Sequence, residues 1–367
     1  MRGQGGLWSF GWHRLLVLAA LIGAGCGMAS RSGETTTQAQ DATPFRAREE
    51  RQVAEYPLGP IEDADGNLWL GSVANGAMMW NGMGLRDFHA EDGLVGDRVT
   101  GLTRDGEGTL WFVSAEEDMG GSSALMIWDG AEVRRAEHPH GFPPNPTRPY
   151  FDASGALWVQ SNGRFHREVN GVFEPFPLPE SLPRTNRTGY EPMNVRQTRN
   201  GDFWFGTSDQ GAIRWDGEAF HPLTTADGLP TNNVHVHLED RDGNLWLSCF
   251  HWHLDPQEKR GALCRWDGET VTTFPDVPGL TGNEIYSVYE DRDGNVWIGA
   301  TCECIYRYDG ATFQAFTRTE PERPDFPFGC NSIYQDRAGR MWFGLTGGLY
   351  RLDGDVLVNV RRGGPWD

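Results

Sequence analysis

The sequence predicts an all-β fold, a seven-bladed β-propeller of four-stranded antiparallel blades, on the strength of two repeated marks. A glycine stands three residues before a tryptophan seven times, at Gly66/Trp69, Gly108/Trp111, Gly155/Trp158, Gly201/Trp204, Gly243/Trp246, Gly294/Trp297 and Gly339/Trp342. A two-residue turn signal follows each tryptophan, at Asn81-Gly82, Asp129-Gly130, Asn170-Gly171, Asp216-Gly217, Asp267-Gly268, Asp309-Gly310 and Asp353-Gly354. The tryptophans lie 42 to 51 residues apart, the period of a propeller blade rather than of a helical solenoid or a leucine-rich repeat.

The elements follow in order along the 367 residues. Arg2 and Arg14 precede an apolar run from Leu15 to Ile22, and Gly23, Ala24 and Gly25 lead to Cys26. Residues 1–25 resemble a bacterial lipoprotein leader in which Cys26 becomes the acylated first residue, although Gly23 stands where leucine is usual. The alternative is an ordinary signal peptide cleaved near Ala29. The apolar run is too short for a transmembrane helix. Residues 26–50 are rich in Ser, Thr, Gln and Glu without apolar periodicity and read as a flexible tether.

Residues 51–367 hold the propeller, and radial repetition lets one domain absorb them. Blade 6 shows the plan: strand A at Ile285–Glu290, a turn at 291–294, strand B at Val296–Ala300, strand C at Cys304–Tyr308 and strand D at Thr312–Phe316. These segments alternate, carry aromatic and β-branched residues, and are bounded by Gly and Asp. Asn-Gly and Asp-Gly between C and D predict type I′ hairpin turns with positive φ at both centres. Asp stands six before the tryptophan in six blades (Asp63, Asp105, Asp152, Asp240, Asp291, Asp336), with Thr198 in the other. Its carboxylate is expected to close the A–B turn by accepting backbone N–H groups. Asp291-Arg-Asp293 looks like a calcium ligand set, but a calcium site also wants six or more oxygens and this pattern recurs blade after blade. Ring closure has two possible forms: Val356–Val360 completes blade 7 alone, or residues 51–56 add to the same sheet.

Net charge is −19, which argues against nucleic acid and anionic lipid surfaces as partners. In an exported chain the remaining cysteines are disulfide candidates first. Cys249 is expected opposite Leu263, one residue from Cys264, which makes a bridge between them plausible. Cys330 opens strand A of blade 7 and is expected to pair with Cys304 or Cys302; a soft-metal site built from Cys302, Cys304 and Cys330 is the sharper alternative.

Binding residues concentrate on variable loops held by a rigid scaffold. The A–B and C–D turns are short and uniform, whereas the B–C and D–A connections vary, so the B–C and D–A rim is the expected site. Blade 5 has the longest B–C insertion, with His251, Trp252, His253 and Asp255, and the D–A connection before blade 4 offers Arg184, Arg187 and Tyr190. An aromatic ring between two imidazoles can stack on a sugar or a flat ligand and donate or accept hydrogen bonds. His235 and His237 share strand A of blade 5, which makes a histidine cluster conceivable. His237 fills the slot of Leu102, Val195, Val288 and Ile333 in other blades, so a satisfied core histidine is the simpler reading.

Several blade junctions resemble the two-component regulator propeller repeat. They are Asp227-Gly-Leu-Pro-Thr-Asn-Asn-Val234 followed by Glu239-Asp-Arg-Asp-Gly-Asn-Leu-Trp246, Pro278-Gly-Leu-Thr-Gly-Asn-Glu-Ile285 followed by Glu290-Asp-Arg-Asp-Gly-Asn-Val-Trp-Ile-Gly299, and Glu91-Asp-Gly-Leu-Val-Gly-Asp-Arg-Val99. The resemblance covers nearly all of residues 57–360 and implies the ligand-sensing extracytoplasmic propeller of membrane-bound hybrid histidine kinases. No kinase or receiver segment is read before Asp367, so the resemblance implies sensing by a stand-alone, lipid-anchored propeller without signalling. A second resemblance is to the propeller of virginiamycin B lyase, whose Trp-Phe-Thr-Glu continuation is absent here, with Trp204-Phe-Gly-Thr207 the nearest approach. The expectation is a monomeric, non-catalytic propeller without metal or cofactor, binding a small molecule, glycan or protein. The alternative is a propeller lyase or hydrolase using the blade 5 histidines and rim acids.

Overall fold

In the computed structural model each of the seven tryptophans lies on the second strand of a sheet whose four strands pair antiparallel in chain order. Residues 51–54, 56–116, 121–179, 192–250, 262–274, 277, 280, 285–300, 305–322 and 329–366 are described below. Seven blades result. Blade 5 is typical, with strands A to D at Val234–Glu239, Leu245–Cys249, Ala262–Trp266 and Val271–Thr273. The A strands are Pro57–Glu62, Arg98–Arg104, Thr147–Phe151, Pro192–Gln197, Val234–Glu239, Ile285–Glu290 and Cys330–Gln335. They gather round the axis and touch their counterparts in neighbouring blades. Each A strand contains a bulge against strand B, as between Val236 and Leu238 in blade 5. A bulge bends and twists a strand, which suits the crowded centre of the ring.

The aspartate six before the tryptophan closes the A–B turn as expected and does more. Asp291 Oδ1 accepts from the Asp293 and Asn295 N–H groups at 3.0 and 2.8 Å, while Oδ2 accepts from the Trp297 indole N–H at 2.7 Å. The same indole bond recurs at 2.8 to 2.9 Å in blades 1, 2, 3, 5 and 7. A buried indole N–H needs an acceptor, and the turn supplies it. The glycine between them takes the left-handed conformation, with φ 90° at Gly294, which a side chain would strain.

The C–D turns depart from expectation. Only Asn170-Gly171 has both centres at positive φ, 52° and 77°. In blades 1, 2, 4, 5 and 6 the loop is four residues long, and the first residue avoids positive φ because its side chain closes the turn instead. Asp267 Oδ1, for example, accepts from the Glu269 and Thr270 N–H groups at 3.0 and 2.8 Å.

Blades are joined by a repeated staple on the A–B rim. The Arg241 N–H and Nε donate to the Glu290 carboxylate of the next blade, and its Nη2 donates to the Asp291 and Arg292 carbonyls. Arg199 does the same toward blade 5, Arg292 toward blade 7 and Arg337 toward blade 1. Close approach adds to it. A Cβ on Gly206 would lie 2.6 Å from the Val234 carbonyl oxygen, and one on Gly344 2.6 Å from that of Pro57, so the residue two after the tryptophan must be small where the next A strand passes.

Val356–Val360 completes blade 7 on its own, and Arg318–Glu320 adds a fifth, parallel strand outside it. Residues 51–54 contribute a bridge, Gln52 to Arg361, rather than a strand. The ring is shut by the tail: Trp366 stacks on Trp80 of blade 1 at 4.7 Å and lies 6.1 Å from Trp342 of blade 7, while Arg362 pairs with Asp87.

Candidate functional site

Strand A of blade 5 begins at the D–A rim and carries Val234 and Val236 into the apolar contact with blade 4. Side chains alternate along a strand, so Asn233 and His235 share the other face. The antiparallel ladder reaches them, because the Phe250 N–H donates to the Asn233 carbonyl at 2.9 Å and His235 pairs with Ser248. His237 is the bulged residue. It is buried, with Nε2 2.8 Å from the Ser248 hydroxyl, which itself donates to the Ile285 carbonyl of blade 6. His237 is thus the satisfied core histidine that its slot suggested. The two imidazoles lie 4.8 Å apart.

Arg196, on strand A of blade 4, reaches across the same place. Its Nε donates to the His237 carbonyl and its Nη1 to the Val195 carbonyl, both at 2.9 Å, and its guanidinium lies 5.9 Å from the Tyr150 ring of blade 3. Both contacts are with neutral oxygens, and no described carboxylate lies within ion-pair distance of Arg196. Arg148, on strand A of blade 3, holds a left-handed backbone at φ 51° just before Pro149. Arg196 and His235 lie on innermost strands and keep partial exposure.

Enclosure and positive charge set the ionisation here. Burial, then His237, Arg148 and Arg196, hold the His235 pKa well below the ordinary imidazole value. Burial and then Arg196 push His237 down to about 3. Burial also lowers Arg196 itself. The result is a fixed cation beside two neutral imidazoles.

The expected disulfide does not form between Cys249 and Cys264, which are both free thiols. Their sulfurs lie 3.7 Å apart. The register explains the contact: Cys249 pairs with Ala262 and Cys264 with Leu247, not Cys249 with Leu263, so the two side chains are diagonal neighbours on one face. The Cys249 contact and burial raise the Cys264 pKa and keep it protonated. Cys330 is likewise a buried thiol, pushed up to about 12 by burial, near Ser287 and Ser332. Cys302 and Cys304 lie outside the described residues. So do Cys26, Arg184, Arg187, Tyr190, His251, Trp252, His253 and Asp255, and these are not brought together by anything described.

Sequence reasoning missed Arg196 and Asn233. The signal for Arg196 was its slot, eight before the tryptophan, where the other blades place the uncharged Ile61, Thr103, Tyr150, Leu238, Tyr289 and Tyr334. On the opposite rim, a shallow depression of about 580 Å³ is lined by Ala64, Arg104, Gly106 and Arg337. It marks the blade 1–2 junction, where Ala64 and Arg104 replace the arginine and the acceptor of the staple, and it is a gap in the scaffold rather than a convergence of ligand-binding groups.

Residues 279–301 match the family profile described as two component regulator propeller. No curated protein matches the chain in sequence. Among solved structures, the extracellular domain of BT3049 from B. thetaiotaomicron, named as a hybrid two component system, is similar with a TM-score of 0.61 at 16% identity, over 83% of this chain and 39% of that one. A streptogramin B lyase is similar with a TM-score of 0.56 at 16% identity, over 82% of this chain and 94% of that one. YCF48 bound to D1 peptide gives 0.55 at 14% identity, over 82% and 93%. At these identities the likeness is one of fold, and the chain spans about two fifths of the length of the first of these domains. The chain is a seven-bladed β-propeller that carries, at residues 279–301, a two component regulator propeller repeat.

Proposed function

We propose that this propeller is a non-catalytic, sensor-like binding module of the cell envelope, and that it takes its ligand on the B–C and D–A rim around blade 5. The observation that supports this reading is an asymmetry between the two ends of the ring. One rim carries uniform turns and arginine staples, while away from it strand A of blade 5 carries His235 and follows Asn233, whose buried amide has no partner. The lyase alternative needs an imidazole that exchanges a proton near neutral pH. His237, at about 3, and His235, well below its ordinary value, are poorly suited to that role.

An envelope location draws support from the resemblance of residues 1–25 to a lipoprotein leader and from neighbours named as extracellular domains. Among the described residues no helix is long and apolar enough to cross a membrane. The proposed attachment is an acylated Cys26, on the strength of the lipoprotein-like pattern that precedes it. The test is a variant in which His251, Trp252 and His253 are all alanine. Exposed loop substitutions usually change stability by less than about 0.5 kcal/mol, so its melting temperature should match that of the parent. A ligand found by thermal-shift screening of glycans and small molecules should bind the variant at least about tenfold more weakly. Unchanged affinity, or an unfolded variant, would remove these residues from the site.

A further inference from the structure

Blade 5 departs from the repeat at two positions that meet in space. Three after the blade tryptophan the chain places Ser72, Ser114, Ser161 and Thr207 in blades 1 to 4, Ala300 in blade 6 and Leu345 in blade 7, but Cys249 in blade 5. The hydroxyls of Ser72, Ser114 and Thr207 donate to main-chain carbonyls, whereas the Cys249 sulfur lies 3.7 Å from that of Cys264. Opposite the residue that follows the tryptophan, strand C places Met78, Met126, His166, Ile213, Tyr306 and Tyr350 in the other six blades. Cys264 takes that slot in blade 5 and is smaller than any of them. A single buried thiol packs as a small apolar group and calls for no explanation. Two coincident departures that set sulfur against sulfur do call for one.

The geometry lies a short movement from a bond. An S–S bond is about 2.0 Å long, so sulfurs at 3.7 Å must approach by about 1.7 Å. Both side chains stand on the face that packs with Val234, Leu245 and Leu247. Strand C can supply the movement, because Ala262–Trp266 is held on its outer side by only three residues, Val271–Thr273.

We propose that Cys249 and Cys264 are a redox pair, that the two thiols are its reduced state, and that a small-molecule disulfide closes it to a cystine that fastens strand B to strand C of blade 5. One cysteine, as its thiolate, attacks a sulfur of the oxidant, breaks the oxidant's S–S bond and releases one thiol. The second cysteine attacks the mixed disulfide and releases the other thiol. The pair thereby loses two protons and two electrons, and the oxidant gains them. In the closed blade this exchange is slow: the thiols are 1% and 0% exposed, so the oxidant has no path to them, and Cys264 is held protonated when the thiolate is the nucleophile. Opening of the blade at strand C admits the oxidant. Once formed, the bond closes a loop between residues fifteen apart in the chain and stabilises the fold by restricting the unfolded chain. The inference stands whether or not the rim of blade 5 binds a ligand.

The test incubates the whole protein, first reduced with dithiothreitol, with oxidised glutathione in buffer and in urea below the unfolding transition. Trypsin cuts at Lys259 and Arg260, between the two cysteines, so a cystine holds together two peptides that otherwise separate, and mass spectrometry identifies them. The linked pair should appear slowly in buffer and at least about tenfold faster in urea, and dithiothreitol should remove it. The melting temperature should rise by about 5 °C on linkage. Cys249→Ser copies blades 1 to 3 and its melting temperature should not respond to glutathione; Cys249→Ala copies blade 6 and takes its place should the serine variant fail to fold. Absence of the linked peptides in both buffer and urea overturns the redox pair and leaves two core thiols. Linkage of either cysteine to Cys302, Cys304 or Cys330 instead overturns the pairing. Linkage with an unchanged or lowered melting temperature overturns the fastening, and a redox response that persists in the Cys249 variants assigns it to other cysteines.

Discussion

His237 carries a measurable consequence of its burial. It stays neutral in the folded protein down to about pH 3, whereas an unfolded imidazole takes up its proton near pH 6.5. The folded pKa is depressed, so the associated stability is fully present above pH 6.5 and is lost as pH falls toward 3, because the unfolded chain binds more protons in that window. Between pH 7 and pH 5 this amounts to about 2 kcal/mol for one such histidine. His237→Leu, which copies the residue in the corresponding slot of blade 2, should therefore lose about 2 kcal/mol less than the parent between those pH values when both are followed by urea denaturation. Equal losses would show that His237 is protonated in the fold. At this scale the sequence spoke clearly where a residue repeats. The aspartate before each tryptophan announced its turn, yet its second bond, to the indole, needed the two side chains brought together across the turn. Arg196 was harder to read for the opposite reason: it occurs once, as the charged departure at its slot, and its significance lies in neighbours supplied by other blades.

Among elements, three junctions, from blade 1 round to blade 4, lack the arginine staple, with Ala64, Gly106 and Ala153 in its place, and the one between blades 1 and 2 opens a depression. Four junctions, from blade 4 round to blade 1, use an arginine after the turn aspartate, or after Thr198 in blade 4, and a glutamate or glutamine on the next A strand. Blade 1 has Ala64 at the first position and blade 2 has Arg104 at the second. Installing both halves, Ala64→Arg with Arg104→Glu, should build the missing staple in the depression these residues line. A gain of about 0.5–1 kcal/mol is reasonable for such a pair with carbonyl contacts, which corresponds to a rise of about 2 °C for a domain of this size. Ala64→Arg alone sets two guanidinium groups side by side and should give no gain. Scanning calorimetry of the three variants checks the coupling; additive effects would mean that the staple does not assemble. Strand positions were legible to within a residue, as blade 6 shows with Ile285–Glu290 and Val296–Ala300 in place. The C–D turns were misread because Asp-Gly specifies a positive-φ glycine, while the length of the loop around it depends on whether the aspartate caps the turn with its own side chain.

For the ring as a whole, closure depends on an aromatic wedge. Sequence could offer Val356–Val360 and residues 51–56 as closing strands, but Trp366 lies outside every repeat and gave no periodic signal. The D strands of blades 1 and 6 end in Phe88 and Phe316, which pack on the blade tryptophans, whereas blade 7 ends in Val360 and leaves that space to Trp366. Trp366→Ala should cost about 3–5 kcal/mol, the usual range for deleting a buried indole. Urea unfolding measures it, and a loss below about 1 kcal/mol would mean the ring closes without the tail.

The seam that Trp366 fills is also where both ends of the described chain come to rest. The Arg362 N–H donates to the Arg51 carbonyl at 3.0 Å, beside the Gln52 to Arg361 bridge. A pull applied to anything attached ahead of residue 51 would therefore reach the blade 7 and blade 1 junction first. It would load two main-chain hydrogen bonds one after the other, as a zipper does, before any blade felt tension. Under such a load the propeller should yield first along this one radial line, parting like a clasp while its seven sheets remain intact.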